Sequence, residues 1–332
     1  MSEIKIAVIG CGGFHKKHVT TYLKRDDCRI VALCDVSDEQ IDTFIQRNEM
    51  TEQAKDIARF TGNLASMYET VKPDAVSIAT PHTCHYEQAL QAIEAGCHVL
   101  VEKPMVTCSE HAYLLAEKVK ESGKILVIAY NAPCTPELMY LRRLIRDQEL
   151  GKLEMVVGHM SQDWLAGTRG KWRQNPAMSG GGQAYDSGAH LLNSLCWTVE
   201  SRVKEVHAYI DYFDTAVDIN SVINIRFQNS VMAAIGINGN CPLWSSHAAY
   251  MFTHGKIEVE MWNGKWINIY KWKEQVKYPP IHDEATTPAD NFLDSIQGKT
   301  KPLTHVTNGI WQSELMDAVY ESAATGLPVK RD

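Results

Sequence analysis

Three groups of residues in this chain have types and spacings that could do chemistry. The first is VIGCGGFH, an apolar run that opens into a turn holding Gly10, Gly12, Gly13, Phe14 and His15. Such a turn lets backbone N–H groups and a helix N-terminus approach a pyrophosphate, because the glycines remove the side chains that would block it. The third small residue of the pattern is replaced by His15. That position serves helix–strand packing rather than phosphate contact, so the histidine is expected to shift the helix outward without abolishing the site. The next apolar run, RIVALCD, ends at Asp35. A carboxylate there accepts hydrogen bonds from the adenine ribose, or alternatively caps the following helix. Val36, Ser37, Asp38 and Glu39 offer no cation to a 2′-phosphate and two acids to repel one, which predicts NAD rather than NADP.

The second group is Glu102-Lys103-Pro104, at the end of the apolar run VLVE. Ligands of open α/β sheets bind at the carboxyl ends of the strands. Pro104 stops the strand, which would turn Lys103 toward a ligand, although a lysine at a strand end is often only a solvated charge. The third group is Asp186 and His190, spaced i, i+4 after Ser179-Gly-Gly-Gly182. On a helix the two share one face, and the glycines let the chain approach a ligand just before it. A surface pair and a metal pair are the competing readings. The second is poor because no further ligand cluster accompanies the two residues, and no metal site is expected.

The elements that must position these groups follow from periodicity. Apolar β-branched runs (IKIAVIG, RIVALCD, DAVSIAT, HVLVE, KILVIAY) alternate with helical stretches over 14–25, 85–95 and 109–122. This predicts βαβ units and a doubly wound α/β domain with a parallel sheet over residues 1–130. After a helix over 136–147 come EMVVGHM, VKEVHAYIDYF, SVINIRF, VMAAIGI, HAAYMFTH, KIEVEMW and KWINIYKW, joined by short turns. These predict an α+β domain over 131–332 with a large, mostly antiparallel sheet. Final helices near 288–297 and 311–325 are expected to pack back on the body.

The 332 residues suit two domains, and 45% hydrophobic with 22% charged residues is a globular composition. No apolar run approaches the ~20 residues that cross a bilayer. The start, MSEIKIAVIG, has no secretory pattern, which predicts the cytoplasm. A net charge of −7 gives no reason to hold nucleic acid. The nine cysteines are never spaced as CxxC and read as reduced, mostly buried thiols.

Taken with the glycine turn, ATPHTCHYEQAL (79–90), VLVEKP (99–104) and SGGGQAYDSGAHLLNSL (179–195), in that order, closely resemble the Gfo/Idh/MocA family of sugar and polyol dehydrogenases. The resemblance covers nearly the whole chain, to the closing IWQSELMDAVYESAATGLPV. It implies a dinucleotide held by Gly10, Gly12, Gly13, Phe14, His15 and Asp35. It places Thr80, Pro81, His82 and His85 by the nicotinamide ribose, where the two histidines could equally be packing residues, and puts Glu102, Lys103 and Asn131 on the cofactor side. Lys103, Asp186 and His190 would then be catalytic. His190 takes the hydroxyl proton, since imidazole titrates in the right range, Lys103 stabilises the alkoxide, and Asp186 orients. With Asn131, Trp172 and Arg173 they would bind a sugar or polyol, although Trp172 could also be a core residue.

The family also implies a homodimer or homotetramer through the C-terminal sheet, where Trp262, Trp266, Tyr270 and Trp272 are expected to make one sticky face. Two departures leave the substrate open: Ala132-Pro133 replaces an arginine common after the asparagine, and Asn193 replaces an aspartate three residues after the histidine. The leading expectation is an NAD-dependent dehydrogenase acting on a secondary ring alcohol of a sugar, glycoside or cyclitol. The alternatives are an NAD-dependent redox glycosidase and a non-catalytic NAD-binding protein.

Overall fold

The alternating apolar runs of the first part fold as a six-stranded parallel sheet. A computed structural model describes residues 3–277 and 279–331. The chain forms two compact units: Met1–Met105 with His111–Ala129 and Thr287–Val306, and Val106–Glu110 with Tyr130–Thr286 and Thr307–Asp332.

In the first unit, β1 (Ile4–Ile9), β2 (Cys28–Asp35), β3 (Ala58–Thr61), β4 (Ala75–Ile78), β5 (His98–Val101) and β6 (Leu126–Ile128) pair in the order β3-β2-β1-β4-β5-β6. All are parallel, and the inner strands are buried along almost their whole length, as a sheet covered on both faces requires. The strand order reverses between β1 and β4, so the carboxyl ends of these two strands form the place where open α/β sheets bind ligands. Gly10 follows β1 there, and Thr80 follows β4.

The returning helix Pro288–Ile296 belongs to this unit. Ala289, Phe292 and Leu293 are fully buried in the same core as Ile6, Val8, Val19, Tyr22 and Leu33. Burying side chains the size of Phe292 and Leu293 stabilises by about 2 kcal/mol each. Arg25 clasps the helix from outside, its guanidinium lying 3.1 Å from Asp290 and 2.8 Å from Asp294.

The second unit is built on nine strands: β7 (Leu153–Ser161), β8 (Val203–Asp211), β9 (Asn220–Phe227), β10 (Met232–Asn238), β11 (Ser245–Phe252), β12 (Gly255–Glu260), β13 (Ile267–Lys271), β14 (Glu274–Lys277) and β15 (Val329–Lys330). Their order is β14-β13-β12-β11-β7-β10-β9-β8-β15, antiparallel except for the β7–β10 pair. Alternating burial along β9, β10 and β11 gives the sheet one inner and one outer face. Every residue of the helix Gly188–Val199 is buried, and Gly188 lies against Ile237 of the inner face.

The expected aromatic face is only partly there. Tyr270 lies on β13 and Trp266 just before it, but Trp272 sits in the β13–β14 turn and Trp262 leaves the sheet altogether. The cause is the turn after β12, in which the Glu260 carboxylate accepts the backbone N–H groups of Trp262, Asn263 and Lys265 and ends the strand alternation.

Candidate active site

The residues expected to hold a dinucleotide lie in the first unit. Gly10 has φ +86°, and a β-carbon there would stand 2.7 Å from the Ala79 carbonyl oxygen, so only glycine fits where β1 meets the end of β4. A β-carbon on Gly12 would meet nothing, and the backbone there faces open space. The Asp35 carboxylate accepts the Cys11 N–H at 2.7 Å and the Ser37 N–H at 3.3 Å, which braces the turn and holds the acid beside it. A glycine turn with an acid beside it suits a pyrophosphate and an adenine ribose, and a nicotinamide dinucleotide fits these residues.

His15 lies inside the first unit, not at its surface. Its ring is fully buried, with Nδ1 2.6 Å from the Gly10 carbonyl oxygen and Nε2 2.8 Å from Ser77 Oγ. A carbonyl can only accept, so Nδ1 carries the proton; in the neutral ring Nε2 then accepts from the Ser77 hydroxyl, which in turn accepts from Tyr22. Burial, and next the charge of His18, lower the His15 pKa to about 4 and keep the ring in this neutral form. The imidazole thus bridges the glycine turn to β4, where the usual glycine would leave only close packing.

Glu102 and Lys103 leave β5 through a cis Lys103–Pro104 peptide. Burial would raise the Glu102 carboxyl, but the hydrogen bond from His18 and the charges of His18 and Lys103 outweigh it and hold it at about 2. Its second oxygen accepts the Lys103 backbone N–H at 3.2 Å. The Lys103 side chain is buried, with only 7% of the residue exposed.

His85 is tied to the same segment. Its Nδ1 lies 2.7 Å from the Pro104 carbonyl and its Nε2 3.0 Å from that of Thr80, while burial lowers its pKa. His82 is also buried, its ring 5.9 Å from that of His85. Thr80 donates to Gln88 at 2.6 Å. Sequence reasoning passed over His18, and also Arg47, whose Nη1 lies 3.7 Å from where a β-carbon of Gly13 would be.

The second unit carries Asp186, His190, Asn131, Trp172 and Arg173. Asp186 is not on the helix with His190. It lies in the turn just before Gly188–Val199, because Asp218 draws that turn inward: Gly182 N–H donates to its carboxylate at 2.6 Å, Ala184 N–H at 2.7 Å and Tyr320 at 2.6 Å. A β-carbon on Gly182 would stand 2.0 Å from the Asp218 carbonyl oxygen. Both Asp186 and His190 are nonetheless buried, at 4% and 5% exposure.

One oxygen of Asp186 accepts from Trp164 Nε1 at 2.8 Å and Arg173 Nε at 3.0 Å, and the Arg173 guanidinium lies 4.4 Å over the Trp172 ring. Arg173 is therefore first of all the counter-ion of Asp186. The His190 ring stacks on Trp262 at 4.0 Å and 28°, with Tyr130 edge-on at 5.8 Å. Asn131 starts the short turn Ala132–Cys134 and accepts the Cys134 N–H through its backbone carbonyl at 2.9 Å. Trp164 was missed in the sequence, where the only signal was that a buried indole N–H needs an acceptor, and Trp262 was expected on the outer sheet face rather than against His190. Among the described residues, no group of three His, Cys, Asp or Glu is placed to hold a metal ion, and no helix is long and apolar enough to cross a membrane.

Comparison with known proteins decides the family. A model for an oxidoreductase family with an NAD-binding Rossmann fold matches residues 4–130, and one for the GFO/IDH/MocA C-terminal domain matches residues 138–258. The chain is 30% identical to a D-glucoside 3-dehydrogenase of Escherichia coli (strain K12), over 99% of this chain and 98% of that one.

The chain belongs to the Gfo/Idh/MocA oxidoreductases.

This Gfo/Idh/MocA chain is also 24% identical to a D-xylose 1-dehydrogenase (NADP(+)) of Haloarcula marismortui, over all of this chain and 94% of that one. A solved aldose-aldose oxidoreductase of Caulobacter crescentus, complexed with glycerol, shares the fold with a TM-score of 0.83 at 20% identity, over 99% of this chain and all of that one. As a member of the family, the protein is an oxidoreductase with a nicotinamide-dinucleotide-binding Rossmann domain.

Proposed function

We propose that this oxidoreductase is an NAD-dependent dehydrogenase of a secondary ring alcohol in a sugar, glycoside or cyclitol. The observation that carries the reading is the burial of three ionisable side chains, Lys103, Asp186 and His190, at 7%, 4% and 5% exposure. Groups of this kind are rarely buried without a functional reason or a partner.

Oxidising a carbinol removes a proton from oxygen and a hydride from carbon, and the nicotinamide supplies the hydride acceptor. His190 takes the proton, the Lys103 ammonium stabilises the charge developing on the oxygen, and Asp186 orients the hydroxyl. Gly10, Gly12 and Gly13 would hold the pyrophosphate, Phe14 and His15 the start of the following helix, and Asp35 the ribose. Thr80, Pro81, His82 and His85 would shape the nicotinamide side. Asn131 and Trp172 would contact the sugar ring, with Arg173 fixing Asp186.

The D-glucoside 3-dehydrogenase relative makes the 3-hydroxyl of a glucoside the first substrate to try. The acids at 38 and 39 favour NAD. The outer face of the large sheet exposes Val157, Tyr209, Val222 and Met232, which supports pairing of two copies through it.

The test is a panel of glucosides, aldoses and inositols with NAD and with NADP, read as reduced coenzyme. Net NADH from a ring alcohol, lost in Lys103→Met and His190→Ala by on the order of 10²–10⁴-fold with coenzyme binding kept, is the expected result. Unchanged turnover in both variants, or glycoside cleavage without net NADH, overturns it.

A further inference from the structure

Resting on the dehydrogenase reading, we propose that Trp262 is a positioning residue for His190: its indole is a fixed wall that holds the imidazole in its working orientation. The torsion that turns a histidine ring about its stem is broad, so the ring must be oriented by what packs on it. Here Trp262 covers one face of the imidazole, with ring centroids 4.0 Å apart and planes 28° apart, and Tyr130 meets it edge-on at 5.8 Å and 89°. The ring cannot turn without losing the stack.

The wall is itself fixed. Glu260 is only 3% exposed, and its carboxylate accepts the N–H of Trp262 at 2.8 Å, of Asn263 at 2.8 Å and of Lys265 at 3.3 Å. Charge-assisted bonds to a buried carboxylate are the strong kind, and three of them converge on one short turn. Trp244 also meets Trp262, its ring edge-on with centroids 6.2 Å apart. The line of constraint runs from a buried carboxylate through a turn to an indole and then to the imidazole. A group that transfers a proton must be held within a few tenths of an ångström, and a misplacement of about 1 Å can lower a rate about a hundredfold.

The experiment is steady-state kinetics of the full chain with NAD and whichever ring alcohol the wild type oxidises, for Trp262→Leu, Trp262→Phe, Glu260→Gln and His190→Ala. Trp262→Leu is expected to lower kcat by about ten- to a hundredfold while the KM values for alcohol and NAD stay within about threefold. Trp262→Phe, which keeps a flat ring, should recover kcat to within about threefold, and Glu260→Gln should fall in between. The Phe variant and thermal unfolding of all four separate a positioning loss from a folding loss. Wild-type kcat in Trp262→Leu, or a loss confined to the KM for the alcohol, overturns the inference, the latter making Trp262 a wall for the sugar instead. If His190→Ala keeps full turnover, the role given to His190 in the dehydrogenase reading, on which this inference rests, fails. A dead His190→Ala beside an unaltered Trp262→Leu sinks this inference alone.

Discussion

His18 Nε2 lies 2.8 Å from one carboxylate oxygen of Glu102, whose other oxygen accepts the backbone N–H of Lys103. A side chain in the first turn of the helix Lys16–Tyr22 therefore reaches the lysine just beyond β5 through one carboxylate. Replacing His18 with Leu leaves Glu102 buried with its charge under-compensated and loosens Lys103. A hydrogen bond to a charged group is worth about 1.5–3 kcal/mol, so kcat/KM should fall about tenfold or more, while His18→Gln, which keeps a donor, should stay near wild type. Initial rates over a series of alcohol concentrations check this, and equal rates in the Leu variant refute it.

His15 makes the fold acid-sensitive. Its pKa is depressed from 6.5 to about 4 by burial, so the unfolded chain binds its proton first. The neutral ring's contribution to stability is complete above about pH 6.5 and is lost as pH falls toward 4. Between pH 7.5 and 5 this amounts to about 2 kcal/mol. Urea midpoints at the two pH values should show that loss in the wild type and little of it in His15→Gln; an equal loss in both would assign the acid sensitivity elsewhere.

Asp35 braces the glycine turn through Cys11 and would also face the ribose, so Asp35→Ser should raise the KM for NAD about tenfold, the cost of one good charged hydrogen bond. Because Arg47 is close to Gly13, removing the carboxylate should also let NADP compete better. KM values for both coenzymes decide the matter. A wild type that already prefers NADP would defeat the assignment of NAD.

Gly182→Ala sets a methyl group 2.0 Å from the Asp218 carbonyl oxygen. Backbone cannot yield as a side-chain tip can, so the variant should be destabilised by about 1–3 kcal/mol and should lose activity, because Asp186 sits in the same turn. Ala at Gly12, where a β-carbon meets nothing, is the control: its stability should match the wild type while its KM for coenzyme rises.

Much of this was legible in the amino-acid order, and the failures have physical causes. The runs IKIAVIG and RIVALCD read as strands because a sheet covered on both faces needs unbroken apolar residues, and the helix over 109–122 has the bounds its pattern predicts. The strand β3 did not read, since Ala58-Arg-Phe-Thr61 is four residues at a sheet edge with no repeat long enough to count. Asp186 and His190 were singled out by spacing, but the helix expected to carry both begins two residues after Asp186, since only a distant carboxylate, Asp218, ends the turn there. The partners Trp164 and His18, and the contact of Trp262 with His190, could not be read for the same reason: local periodicity says nothing about which indole or imidazole arrives from another part of the chain.

The helix Pro288–Ile296 fills the core of the nucleotide half from the far end of the polypeptide. During synthesis, the first 130 residues would therefore leave the ribosome with a greasy groove where Phe292 and Leu293 belong, and the half that resembles a self-sufficient module must wait for almost all of the protein before it can close. A truncation at residue 130 should for this reason yield aggregates rather than a miniature coenzyme binder, while supplying the 287–306 segment in trans offers a way to complete it.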